Sequence, residues 1–139
     1  MSEQSNTELI RNLYAAFARG DVQTILDHCT DDVEWTLEAP DVVPFAGQRR
    51  GRAEVLKFFE ALATTQNNNK LSIEVFVAQD DHVATLGRYS GTINATGKSF
   101  DSPVAHFFTI RDGRVARFVD LGDTAAMVDS YTAASAAAV

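Results

Sequence analysis

Asp112-Gly113 sits between two β-rich runs, Pro103 to Arg111 and Arg114 to Asp123. This pair is a strong signal for a two-residue hairpin, because both central residues of that turn need positive φ. Such a turn fixes register, and register decides which side chains share a face. With Asp112 and Gly113 as the loop, Arg111 pairs with Arg114. Asp120 then falls opposite Ala105, Phe118 opposite Phe107, and Ala116 opposite Thr109. One face of the hairpin becomes small and apolar, with a single carboxylate among aromatics. A carboxylate on an apolar face is costly, so it needs a partner or a function.

The preceding turn extends the ladder. With Thr96-Gly97 as a two-residue loop, Arg88 falls opposite Ala105, and Arg88, Ala105 and Asp120 form one row across three strands. Two charged side chains of that reach can meet over an alanine. The alternative is a structural ion pair or two solvent-facing charges. The same count places His106 on the opposite face, beside Val104 and Phe108. A single β-bulge would bring it inside.

The upstream chain carries helical periodicity. Ile10, Leu13, Tyr14 and Phe17 form one stripe in a helix over residues 5–19, with Ser5, Asn6 or Thr7 as cap and Gly20 as stop. Asp21 caps a second short helix with Val22, Ile25, Leu26 and Cys29. A strand follows over 33–37, then a loop over 38–50 holding Pro40, Pro44 and Gly47. A third helix spans Arg52 to about Thr64. Residues 66–70 read as a polar loop. Strands are predicted over 71–79, 82–93, 99–110 and 114–122, with a short helix from Asp123 or Thr124 and a fraying Ala-rich tail at 133–139. Helices first and a meander after predict an α+β fold, a curved antiparallel sheet wrapped around N-terminal helices as a cone with one open end.

The 139 residues suit one domain over 1–139, ordered over about 5–131. The net charge of -7 argues against nucleic acid or an anionic membrane surface as partner. No apolar run approaches the roughly 18 residues of a membrane span. The polar N-terminus and the lone Cys29 point to a cytoplasmic protein. Three scattered histidines (His28, His82 and His106) lack metal-ligand spacing, and no phosphate loop or nucleophile elbow is present, so neither metal nor cofactor is expected. Trp35, Tyr14 and Phe17 either line a cavity or fill the core.

Several segments resemble the nuclear transport factor 2-like superfamily, in its SnoaL-like or ketosteroid isomerase-like branch. They are Tyr14-Ala15-Ala16-Phe17-Ala18-Arg19-Gly20-Asp21, Thr30-Asp31-Asp32-Val33-Glu34-Trp35, Gly51-Arg52-Ala53-Glu54-Val55 leading into Phe58-Phe59, and Asp112-Gly113-Arg114-Val115 ending in Asp120. The likeness covers nearly all of residues 5–131 and implies the cone-shaped fold and a homodimer, with Val104, His106, Phe108 and Val119 on the covered back of the sheet. It does not by itself specify activity.

Three family chemistries are implied in turn. The ketosteroid isomerase base, tyrosine and oxyanion acid fall at Leu37, Leu13 and Ala105, so all three are replaced. The epoxide hydrolase arginine and water-activating aspartate match Arg88 and Asp120, but its second aspartate is Ser90, and its water ligands become Trp35 and Leu37. The polyketide cyclase type, relying chiefly on the aspartate at Asp120, fits best. The resemblance thus implies a cofactor-free isomerase, cyclase or lyase acting on a small apolar carbonyl compound, with Asp120 as general acid/base. Arg88 would stabilise charge, and Tyr14, Phe17, Trp35, Leu37, Phe59, His106, Phe107 and Phe118 would contact substrate. The alternatives are a non-catalytic binder of an apolar metabolite and an epoxide hydrolase-like hydrolase.

Overall fold

The computed structural model describes residues 2–132; the Ala-rich segment expected to fray lies outside them. The elements are α1 (Glu3–Ala18), α2 (Val22–Asp27), β1 (Cys29–Leu37), β2 (Gly47–Arg50), α3 (Arg52–Thr65), β3 (Gln66–Gln79), β4 (His82–Ile93), β5 (Ser99–Arg111), β6 (Arg114–Gly122) and α4 (Thr124–Tyr131). The strands form one curved, unclosed sheet in the order β2-β1-β6-β5-β4-β3. Helices cover its concave side, so the α+β cone read from the sequence is the observed architecture. No described helix is long and apolar enough to cross a membrane.

Helix α1 starts earlier than the composition suggests. Ser2 and Ser5 form a reciprocal capping box: the Ser5 amide donates to Ser2 Oγ at 2.9 Å and the Ser2 amide to Ser5 Oγ at 3.0 Å. Asn6 is then fully buried inside the helix and donates to the Asp80 carbonyl. That bond ties α1 to the β3–β4 turn. Ile10, Leu13 and Ala16 face the core, and Gly20, at φ +74°, releases the chain into Asp21, whose carboxylate accepts from Thr24. Cys29, placed in α2 by periodicity, instead opens β1. Its thiol is fully buried, and burial raises its pKa to about 12.

Residues 66–70 are the start of β3. Their polarity misleads because β3 is an edge strand, where solvated Asn and Lys side chains are suitable. Part of the segment expected as a loop before α3 likewise forms β2, which pairs antiparallel with the end of β1.

Asp112 and Gly113 have φ of 54° and 75°, so the predicted hairpin turn is present and Arg111 pairs with Arg114. The ladder then slips. Ile110 pairs with Val115 but Thr109 pairs with Arg117, leaving Ala116 as a bulge. Beyond it, Asp120 faces His106 and Phe118 faces Phe108. The β4–β5 connection also differs from a two-residue turn. The Gly97 amide bonds to the Ile93 carbonyl and Thr92 pairs with Ser99, so Arg88 lies opposite Pro103 and Leu86 opposite Ala105.

The sheet bends where β3 and β4 cross closely. A Cβ built on Gly87 would lie 2.0 Å from the Ser72 carbonyl oxygen. Backbone, not a flexible side-chain end, blocks that space. Gly87→Ala is therefore expected to cost about 3 kcal/mol, read as a lowered urea midpoint. An unchanged midpoint would show that β3 can retreat freely.

Candidate functional site

The concave face, α1, α3 and α4 line an aromatic cavity of about 80 Å³. That is enough for several small-molecule atoms or waters. Tyr14 and Phe17 enter from α1, Phe58 and Phe59 from α3, and Trp35, His106 and Phe118 from the sheet. Each sheet residue points inward because alternation on its strand, corrected for the bulge, demands it. Phe118 stacks on Trp35 at 4.1 Å between ring centroids and tilts against His106 at 5.0 Å.

Asp120 is the only carboxylate among the residues lining this cavity. Its Oδ1 lies 3.4 Å from His106 Nε2, and both side chains are largely buried, at 17% and 8% exposed. The other imidazole nitrogen, Nδ1, is 2.7 Å from the Tyr14 hydroxyl, which is also 2.7 Å from Thr85 Oγ1. Thr85, Tyr14, His106 and Asp120 thus form one continuous polar chain through an apolar wall.

Donor counting gives this chain two proton states. With neutral His106, Tyr14 donates to Nδ1, the Thr85 hydroxyl donates to Tyr14, and Nε2 lies 3.4 Å from the Asp120 carboxylate. With protonated His106, Nδ1–H donates to Tyr14 and the tyrosine hydroxyl turns to Thr85. Proton gain at the imidazole is therefore accompanied by reversal of two hydrogen bonds. Burial pushes the Tyr14 hydroxyl well above its ordinary pKa of 10.0; the Thr85 bond opposes this and the Asp120 charge adds to it. Tyr14 stays protonated and serves the chain as a neutral link.

A second polar group closes the other end. The Tyr89 hydroxyl donates to Gln66 Oε1 at 2.6 Å and accepts from Asn69 at 2.9 Å, while Gln66 donates to the Tyr131 hydroxyl. Burial raises the Tyr89 pKa, with Tyr131 and Asp120 adding to the shift. Trp35 stands apart from both groups. Its indole nitrogen is buried without a hydrogen-bond partner, an arrangement that costs about 1–3 kcal/mol of desolvation.

Among the expected site residues, Asp120, Tyr14, Phe17, Trp35, Phe59, His106 and Phe118 converge on the cavity. Three do not. Arg88 is on the outer face, half-exposed, bonding Asp101 Oδ1 at 3.0 Å; the bulge at Ala116 turns Asp120 to the other face, and the longer β4–β5 connection shifts Arg88 two residues along the ladder. Phe107 faces outward against His82 because of the bulge at Ala116. Leu37 is buried in the core, outside the cavity lining. Ala105, the oxyanion-acid position of the resemblance, also faces away, and His106 takes the inward place. Thr85 and Tyr89 were not singled out from sequence, although both sit on the inward alternation of β4. Among the described residues, no three His, Cys, Asp or Glu side chains group as metal ligands.

Tyr14→Phe would leave His106 Nδ1 and Thr85 Oγ1 without their shared partner. We expect a loss of about 1–3 kcal/mol in urea unfolding. A neutral result would mean that the polar chain does not hold the ring.

Comparison with known proteins gives the family. Residues 10–118 match the SnoaL-like domain model. An uncharacterised protein of Mycobacterium tuberculosis is 25% identical over 134 residues, covering 96% of this chain and all of that relative. An NTF2-like protein of unknown function from Burkholderia pseudomallei superposes with a TM-score of 0.85 at 29% identity, covering 96% of this chain and 100% of that one. TerC, co-crystallised with polyporic acid, superposes with a TM-score of 0.83 at 28% identity, covering 91% of this chain and 98% of TerC. With this match and this geometry, the chain belongs to the SnoaL-like family of the NTF2-like superfamily.

Proposed function

We propose that this protein is a cofactor-free acid/base catalyst of the isomerase, cyclase or lyase type, acting on a small apolar carbonyl compound. The observation that carries the reading is the lone cavity carboxylate, Asp120, set 3.4 Å from an imidazole that Tyr14 anchors at its other nitrogen. Asp120 removes a proton from a carbon next to the carbonyl. The C–H electron pair becomes the enolate, with charge on oxygen. The proton returns to a different carbon in an isomerisation. In an aldol closure the enolate carbon attacks a second carbonyl of the same molecule, and the new alkoxide takes the proton. His106 keeps the carboxylate in place and, through Nε2–H, offsets its charge. The aromatic walls bind the apolar body of the substrate and exclude water. The co-crystallisation of TerC, similar in fold and sequence, with the small molecule polyporic acid is in keeping with a small-molecule ligand. The epoxide hydrolase reading loses its support here, since Arg88 and the Asp120 carboxylate lie on opposite faces of the sheet.

The test is deuterium exchange into a panel of cyclic ketones, followed by proton NMR in heavy water. Asp120→Asn is expected to slow exchange by about 10²-fold or more while leaving the folded spectrum intact. Arg88→Ala is expected to leave exchange unchanged. Full exchange activity in Asp120→Asn would sink the assignment. Ligand-induced thermal stabilisation with no exchange in the parent protein would instead favour a non-catalytic binder.

We also propose a homodimer formed through the outer face of the sheet. Register builds two adjacent apolar rows there, Val75–Leu86–Ala105–Leu121 and Val77–Ala84–Phe107–Val119. Val75, Val77, Leu86 and Leu121 are exposed in the single chain. The bulge replaces Val104, His106 and Phe108 in the expected back face by Ala105, Phe107 and Leu121. A contiguous patch of this kind is unusual on a monomer. Light scattering at micromolar concentration is expected to give twice the chain mass, and Leu86→Glu to halve it. A monomeric parent protein would refute this interface.

A further inference from the structure

The two tyrosine hydroxyls of the cavity wall and one nitrogen of His106 are already engaged. Tyr14 is engaged by Thr85 and His106, Tyr89 by Gln66 and Asn69, and His106 by Tyr14 and Asp120. Trp35 is the exception. It is 4% exposed, it lines the cavity, and its Nε1–H has no partner. An indole N–H can only donate. Buried donors are nearly always satisfied in folded proteins, so an unpartnered one on a residue that lines a cavity points to an acceptor that arrives from outside.

Its position relative to Asp120 is set by the ladder. Trp35 pairs with Phe118 across the parallel β1–β6 contact, and Asp120 is two residues further on the same face. Strand spacing and rise put the Trp35 and Asp120 backbones about 8 Å apart. One small ligand can touch both side chains at once.

We propose that the Trp35 indole N–H is the anchoring donor for the ligand's carbonyl or enolate oxygen, which makes an oxygen acceptor beside an acidic carbon the required feature of the substrate. The acidic-carbon half of that statement rests on the Asp120 reading above; the donor half rests on the cavity alone. A hydrocarbon of equal shape leaves the indole unpaired and is disfavoured, whereas a ketone satisfies it.

The chain has one tryptophan, so its indole cross-peak in a nitrogen–proton spectrum is identified without assignment. The probes are 2-tetralone and its hydrocarbon counterpart tetralin. Saturation with 2-tetralone is expected to move the indole proton downfield, and tetralin is expected to leave it without that shift. Trp35→Phe keeps an aromatic ring against Phe118 and removes the donor. It is expected to weaken 2-tetralone binding on the order of fivefold and to weaken tetralin binding by less.

The proposal is overturned if 2-tetralone binds no more tightly than tetralin, if the indole peak does not shift at saturation, or if Trp35→Phe binds 2-tetralone as the parent does. A shifted peak without deuterium exchange at the ketone's α-carbon refutes the Asp120 reading and leaves the donor standing. Exchange with an unmoved peak does the reverse.

Discussion

Ala116 is left out of the β5–β6 ladder, and the two faces of the sheet owe their character to that omission. Before the bulge, Ile110 pairs with Val115; after it, every inward residue of β6 meets an inward residue of β5 that strict alternation from the turn would have placed elsewhere. His106 reaches Asp120 for this reason. The same slip sends Ala105 and Phe107 outward, where they complete the apolar rows with Leu86 and Val119. One unpaired residue therefore composes the polar centre of the cavity and the greasy back of the sheet together. Bulges near sites are known to re-aim side chains in this way.

The energetics of the cavity follow from how few polar groups it admits. A carboxylate among Phe118, Trp35 and Phe59 is tolerable only with a nearby polar partner. His106 provides that partner, and its own second nitrogen must then be satisfied, which Tyr14 does, and Tyr14 in turn leans on Thr85. Each buried polar group demands the next until the chain ends at a β4 hydroxyl. Hydrogen-bonded networks such as Thr85–Tyr14–His106 rigidify a core. The strand order, which brings β4, β5 and β6 together under α1, is what makes such a chain possible.

Much of the fold was legible before any coordinates. The stripe of Ile10, Leu13 and Phe17, the stop at Gly20, the Asp112-Gly113 turn and the run of strands all have local causes, so local reading finds them. The candidate site was legible in membership but not in partnership. Asp120, Tyr14, Trp35 and His106 stand out by type, yet the pairing of Asp120 was assigned to Arg88. Two small geometric facts defeat that assignment. A bulge at Ala116 has no compositional mark, since alanine suits either face. The β4–β5 connection is two residues longer than the Thr96-Gly97 pair implies, and that slip keeps alternation intact while moving Arg88 along the strand. The Asn67 to Lys70 segment shows a third kind of failure, because an edge strand has the polarity of a loop.

The β1–β6 contact joins strands from opposite ends of the chain, and it is the one parallel pairing in the described sheet. β3 to β6 can assemble as successive hairpins between neighbours in sequence, whereas β1 must wait for the last strand before it has an inner partner. On a ribosome, α1, β1 and α3 would emerge with their apolar faces uncovered and no sheet to cover them. Nascent chains stopped before residue 114 would hold neither Asp120 nor the seat for Trp35. Ligand binding would then report the emergence of β6, since the pocket is assembled only when β1 and β6 meet.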